Sequence, residues 1–155
     1  FSCYTGLRFS DITRLQKDNF HLIDGKWWLI FKSLKTGVTI KLPIYMLFDG
    51  KPIEIFKKYC KRNFKSSLFG LSTTSNSATN KQLKQLAQKV KVYKHISFHT
   101  ARHTCATILL YNGVQLTTVQ KLLGHQSIRT TEVYSDIMDM TVIRDLQKIK
   151  QKKNK

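Results

Sequence analysis

The chain has 155 residues, the size of one domain, and 41% of them are apolar, enough for one core. Twenty-seven Lys and Arg against nine Asp and Glu give a formal charge of +18, a self-repulsion that points to a polyanionic partner such as nucleic acid. A membrane is disfavoured, because no run of about 18 apolar residues exists and no signal-peptide pattern opens the chain; Cys3, Cys60 and Cys105 are too widely spaced for a zinc motif and read as reduced thiols of a cytosolic protein.

The chain opens on Phe1, inside the apolar stretch FSCYTGLRFSDI. This reads as the interior of a longer protein, with 1–155 a single domain truncated at its N-terminus and an upstream module absent. Ser10 and Asp11 before Ile12 and Leu15 predict a short helix from about Ser10 to Lys17, with Arg8 just ahead of it. The turn signals Asp24-Gly25 and Lys35-Thr36-Gly37 separate β-rich runs and predict a three-stranded antiparallel sheet, closed by Pro43. One of Trp27 and Trp28 is expected to point inward and the other outward. Segments 44–49 and 52–62 read as helices, the second with a basic face of Lys57, Lys58, Lys61 and Arg62. Residues 66–80 are small and polar, hence a loop.

Leu83, Leu86, Ala87 and Val90 fall at helical spacing after Asn80. Further helices are expected at 99–111, stopped by Asn112-Gly113, and at 116–123, stopped by Gly124. Ser127 is a cap for a short helix reaching Tyr134, and a last helix spans about Asp139 to Lys150 with Val142, Leu146 and Ile149 on one face, before a basic tail. The class is α+β, mainly helical with one small sheet.

Most of the basic residues are solvated surface or nonspecific phosphate contacts, and most tyrosines pack; Tyr4, Tyr45, Tyr59, Tyr93 and Tyr111 are read so. A functional reading needs a combination. Arg8 precedes a helix start, where an arginine and backbone donors can share one anion, and Asp11 is placed to hold its guanidinium. Lys35 sits at a tight turn, with Lys32 and Lys41 nearby as weaker candidates. His99 and Arg102 share one helical turn. His125 follows the helix-ending Gly124, and Tyr134 lies nine residues on.

One phosphodiester can organise this set. Arginine forks bind non-bridging oxygens bidentately, and fixed cations favour the more highly charged transition state. His99 and His125 can donate hydrogen bonds or move protons. Tyr134 offers a phenol as nucleophile, and Lys35 a proton for the departing oxygen. No carboxylate cluster suits a two-metal mechanism, so no metal or cofactor is expected. His95, His99 and His103 have a spacing that a metal could use, but no acidic or cysteine ligand joins them; His103 is read as a packed or hydrogen-bonding support. Glu132 and Asp136 are read as local structural residues.

The stretches TGLR (5–8), LKTGVTIKLP (34–43), HTARHTCAT (99–107) and LLGHQSIRTTEVY (122–134) resemble the catalytic domain of tyrosine recombinases, the phage-integrase family, and within it the integrases of mobile elements in Bacteroides-type bacteria. That family's signature is an Arg, a hairpin Lys, His-x-x-Arg, a His or Trp after Leu-Gly, and a Tyr near the C-terminus; here Arg8, Lys35, His99, Arg102, His125 and Tyr134 fill it. The resemblance implies the recombinase catalytic fold and site-specific strand cleavage through a 3′-phosphotyrosyl link, which a 5′ hydroxyl then attacks. It also implies double-stranded DNA as partner, tetramers on DNA, possible DNA-bending accessory factors, a bacterial nucleoid-associated location, and a C-terminal segment, 142–155, that contacts a neighbouring protomer. Gln126, Ser127, Arg129 and Thr130 lie near the expected DNA surface, as candidates with Lys57, Lys58, Lys61 and Arg62 for phosphate contacts that position without reading sequence. Two other functions fit less well: type IB topoisomerase-like relaxation, against which the KTG and LGHQS contexts argue, and a DNA-binding relative that has lost cleavage, against which the complete set of six argues.

Overall fold

A computed structural model describes residues 1–62 and 67–134, together with 142, 143 and 146. The elements bounded within the described residues are the α-helices α1 (Ser2–Thr5), α2 (Phe9–Ile12), α3 (Lys51–Cys60), α4 (Asn76–Lys89), α5 (Phe98–Tyr111), α6 (Leu116–Leu123) and α7 (Arg129–Glu132), with the strands β1 (Phe20–Ile23), β2 (Lys26–Lys32) and β3 (Thr39–Leu42). The strands are antiparallel in the order β1-β2-β3, with Ile23 opposite Lys26 and Lys32 opposite Thr39. Asp24 and Gly25 both have positive φ, 49° and 71°, which gives the two-residue turn the twist the flanking strands need. The second hairpin turn closes with Ser33 N–H donating to Val38 O and Gly37 N–H donating to Ser33 O, both at 2.9 Å.

One core lies where the sheet meets α2 and α3 and is built on Leu7, Leu15, Leu29, Ile40, Leu42 and Phe56. Phe56 of α3 stacks on Phe20 of β1 with centroids 3.9 Å apart and also meets Trp27, while Trp28 meets Tyr45. The two tryptophans therefore go to opposite faces, each half-buried against an aromatic partner. A second core joins α5 to α6 through Ala106, Leu110, Val119 and Leu123. Tyr4 packs on Phe48 and Tyr59 on Phe69. Tyr93, expected to pack, is instead 91% exposed.

Several boundaries differ from the sequence expectation, each for a local reason. The helix expected to reach Lys17 ends at Ile12, because the Leu15 carbonyl turns away to accept from Leu68 N–H at 2.6 Å and the Leu15 side chain is fully buried. Segment 44–49 is not a helix: it is a turn and a short 3-10 stretch in which Phe48 and Asp49 take left-handed φ values of 47° and 53°. α4 starts at Asn76 rather than after Asn80, capped by Ser75 Oγ accepting from Ala78 N–H at 3.1 Å. Ser127 does not cap α7 through its side chain; Ile128 holds the N-cap position, and the Ser127 carbonyl takes the Thr130 N–H. The last expected helix lies outside the described residues except at Val142, Ile143 and Leu146, which are helical and 54–61% exposed. Among the described residues no helix is long and apolar enough to cross a membrane.

Candidate active site

The site forms where the α1–α2 turn, the β2–β3 hairpin, α5 and the end of α6 meet. α1 stops at Gly6, whose left-handed φ of 66° turns the chain so that Leu7 enters the core and Arg8 becomes the N-cap residue of α2. Arg8 is half-buried and its Nη1 donates to Ser33 Oγ at 3.5 Å. Asp11, only 4% exposed, accepts from Ser33 Oγ at 3.2–3.3 Å and from Leu34 N–H at 3.0 Å. Asp11 therefore reaches Arg8 through the Ser33 hydroxyl and does not clasp the guanidinium, as its spacing suggested. It fixes the base of the hairpin whose turn carries the exposed Lys35.

Arg102 is 2% exposed on α5. Its Nη1 donates to Gly6 O at 2.6 Å and its Nη2 to Leu123 O at 2.8 Å. The fork thus ties together the two glycine-led turns that deliver Arg8 and His125. Burial, and then repulsion from Arg8, push the guanidinium down to about 10, so it stays charged at neutral pH.

Gly124 ends α6 with φ 64°, and a Cβ there would stand 2.7 Å from Ile40 Cδ1. His125 follows with its N–H on Gln120 O (3.1 Å), its carbonyl accepting from Gln120 Nε2 (3.2 Å), and its Nδ1 2.8 Å from Thr131 Oγ1. Burial, then the charges of Arg102, Arg8 and His99, push the imidazole down to about 4, so it is neutral at pH 7. His99, exposed at the start of α5, is lowered by burial and then by His103, Arg102, Lys35 and Arg8. Arg8, Lys35, His99, Arg102 and His125 therefore share one electrostatic neighbourhood.

Tyr134 borders it. The residue is 5% exposed, seated on Ala106, Leu110, Val119 and Leu123. Its ring lies 5.1 Å from that of His103, which lies 4.4 Å from His99, so His103 forms an aromatic bridge between the two. Burial raises the phenol above its ordinary value, and Arg102 opposes that rise. Among the described residues none hydrogen-bonds its hydroxyl.

The eight candidate contact residues divide. Gln126, Ser127, Arg129 and Thr130 are exposed beside His125, whereas Lys57, Lys58, Lys61 and Arg62 are exposed on and just after α3 and hydrogen-bond no residue of the site. Arg62 instead lies over the Tyr59 ring at 5.0 Å. His95 precedes α5, and among the described residues no group of three or more His, Cys, Asp or Glu could hold a metal ion. Asp136 lies outside the described residues. Sequence reasoning missed Ser33 and Thr131, 1% and 0% exposed. Their roles come from partners 22 and 6 residues away, distances no helix or strand period encodes.

Residues 1–140 match the model of the phage integrase family. The tyrosine recombinase XerD of Listeria innocua is 32% identical over 155 residues, covering 93% of this chain and 50% of its own length. XerD of Staphylococcus saprophyticus is 30% identical over 138 residues, covering 86% and 46%. The crystal structure of the XerH site-specific recombinase bound to its difH substrate aligns with a TM-score of 0.67 at 22% identity, over 86% of this chain and 40% of that one. The mainly helical fold with its three-stranded sheet is that of a tyrosine recombinase catalytic domain. The chain belongs to the phage integrase family. It spans about half the length of the curated relatives it matches.

Proposed function

We propose that the chain is the catalytic domain of a site-specific DNA recombinase or integrase, which breaks and rejoins strands by metal-independent transesterification on Tyr134. The observation that carries this reading is the convergence of two arginines, a hairpin lysine and two histidines beside one tyrosine.

Arg8 and Arg102 hold the non-bridging oxygens of the scissile phosphate, and their charge matters most as the pentavalent transition state forms. His125 is neutral; with Nδ1–H given to Thr131 Oγ1, its Nε2 is a base for the phenol proton. Lys35 protonates the leaving 5′ oxygen. A 5′ hydroxyl then attacks the 3′-phosphotyrosyl link and the same groups act in reverse. Tyr134 must first leave its seat on α5 and α6, since 5% exposure leaves no approach to phosphorus.

The wider reading follows from the family. XerD, XerH and their kind are named as recombinases, and double-stranded DNA suits a chain of charge +18. Assembly as a tetramer, with 142–155 against a neighbouring protomer, is supported by the exposed apolar side chains of Val142, Ile143 and Leu146. The narrower likeness to mobile-element integrases of Bacteroides-type bacteria, the accessory bending factors and a nucleoid location rest on the motif resemblance alone.

The test is adduct formation by the full-length protein on a pool of nicked suicide duplexes made from DNA flanking its gene. A covalent protein–DNA adduct is expected without Mg²⁺ and lost in Tyr134→Phe. An adduct that persists in that variant would show another nucleophile, and none at all with the unaltered protein would overturn the recombinase reading.

A further inference from the structure

The hairpin turn that carries Lys35 is held at its base and at its tip by different residues. At the base, Asp11 takes the Ser33 hydroxyl and the Leu34 N–H. Neither bond touches residues 35–37; the turn itself is closed by Gly37 N–H on Ser33 O, and the Lys35 side chain on it is exposed. The tip has its own attachment. Gln126 Nε2 donates to Thr36 O at 2.9 Å, and Thr36 Oγ1 points to Gly124 O at 3.5 Å. Below them Ile40 of β3 fills the space that Gly124 leaves open. The segment Gly124–Gln126 therefore places His125 and grips the residue next to Lys35.

Gln126 is exposed, so its amide gains nothing by burial. Its bond to the turn joins residues 90 apart in the chain, far beyond any helix or strand period. The geometry assigns Gln126 as a positioning residue: its side-chain amide latches the hairpin tip to the His125 segment and so sets where the Lys35 ammonium stands. This deepens the proposed reaction and rests on Lys35 being the proton donor in it. In that step the Tyr134 Oη–P bond forms and the P–O5′ bond breaks. The phenol proton passes to His125, and a proton from Lys35 Nζ passes to O5′; nothing is oxidised or reduced. A lysine misplaced by about an ångström loses much of its rate effect, because proton transfer needs hydrogen-bond reach.

The latch acts only through Lys35, and that separates it from a DNA contact or a folding role. The experiment compares two nicked suicide duplexes of the sequence recovered in the adducts above, one with the normal O5′ and one with a 5′-bridging sulfur, which departs without protonation. With oxygen, Gln126→Ala and Gln126→Glu are each expected to cleave about 5- to 10-fold more slowly, the order of one lost hydrogen bond. With sulfur both return to within about 2-fold of the unaltered protein, and Lys35→Ala, far slower on oxygen, recovers in the same way. The thermal midpoint of Gln126→Ala falls by no more than about 2–5 °C, the share of one exposed hydrogen bond. Unchanged cleavage of the oxygen duplex overturns the latch, and so does an equal defect on both duplexes, which would make Gln126 a DNA-binding or structural residue. Failure of sulfur to rescue Lys35→Ala overturns the prior assignment of Lys35 as the acid, a separate result.

Discussion

Replacing Arg102 is expected to harm the fold as well as the chemistry, and the size of the harm follows from its two carbonyl bonds. Hydrogen bonds from a charged donor contribute about 1.5–3 kcal/mol each, so the bonds to Gly6 O and Leu123 O stabilise by about 3–6 kcal/mol. Against this stands the unfavourable placement of a buried cation near Arg8. The fall from 12.5 to about 10 corresponds to about 3 kcal/mol. The net expectation for Arg102→Ala is a loss of about 0–3 kcal/mol, centred near 1.5, or a fall in melting temperature of about 3–6 °C for a domain of this size. Arg102→Lys keeps the charge but has no fork to span two carbonyls on different turns, so it should be no more stable than the alanine variant. Urea unfolding followed by circular dichroism measures both. A phosphate-bearing duplex should raise the stability of the unaltered protein more than that of either variant, because it offsets the Arg8–Arg102 repulsion. A midpoint for Arg102→Ala above that of the unaltered protein, with no gain from DNA in either, would refute the reasoning.

Gly124→Ala places a Cβ in a left-handed residue and 2.7 Å from Ile40 Cδ1; a loss of about 2–3 kcal/mol is expected in urea unfolding, partly recovered by adding Ile40→Val, and a cost below about 0.5 kcal/mol would show the turn to be slack. His125 should titrate near 4 by NMR in the free protein, and rise when a phosphate group neutralises Arg102 and Arg8; a free-protein value of 6 or more would contradict the burial and charge account. Because its folded value lies below the ordinary 6.5, the unfolded chain takes up the proton first, so stability falls as pH drops from about 6.5 to about 4. His125→Asn should flatten that part of the stability profile.

What could be read from the sequence were the features whose cause is local. Asp24-Gly25 and Lys35-Thr36-Gly37 turn because their residue types favour turns, and the three-stranded antiparallel sheet follows. Gly124 stops α6 because a left-handed residue is needed there. His99 and Arg102 face one place because three residues make most of a helical turn. The misreadings arise where a distant partner decides. Asp11 resembled a helix-start residue and serves the hairpin base across 22 residues of chain. Leu15 ended its helix for the sake of Leu68. Ser127 has the right residue type for a cap, but the N-cap fell one residue later, on an isoleucine. The motif marks Arg102 as a candidate phosphate ligand and not as a tie between two turns, because its acceptors are backbone carbonyls, which no side-chain motif marks.

The seat of Tyr134 sets a cost on the proposed cleavage. Its ring is a member of the α5–α6 core, and burying an aromatic side chain of that size stabilises by about 1.5–3 kcal/mol. On the proposed mechanism that same free energy opposes attack, since the phenol must leave Ala106, Leu110 and Leu123 to reach phosphorus. At about 1.4 kcal/mol per tenfold, the free ring is populated at roughly 1–10%. Undocking therefore slows cleavage by about 10- to 100-fold and does not forbid it. The raised phenol also regains its ordinary acidity on leaving the core, because burial is the first cause of the rise. Arg102, charged and on the opposing side of that balance, favours the phenolate wherever the ring comes near the phosphate. Docking thus suppresses both the reach and the ionisation of one side chain, and a bound phosphate has only to offset a packing term of a few kcal/mol to release them together.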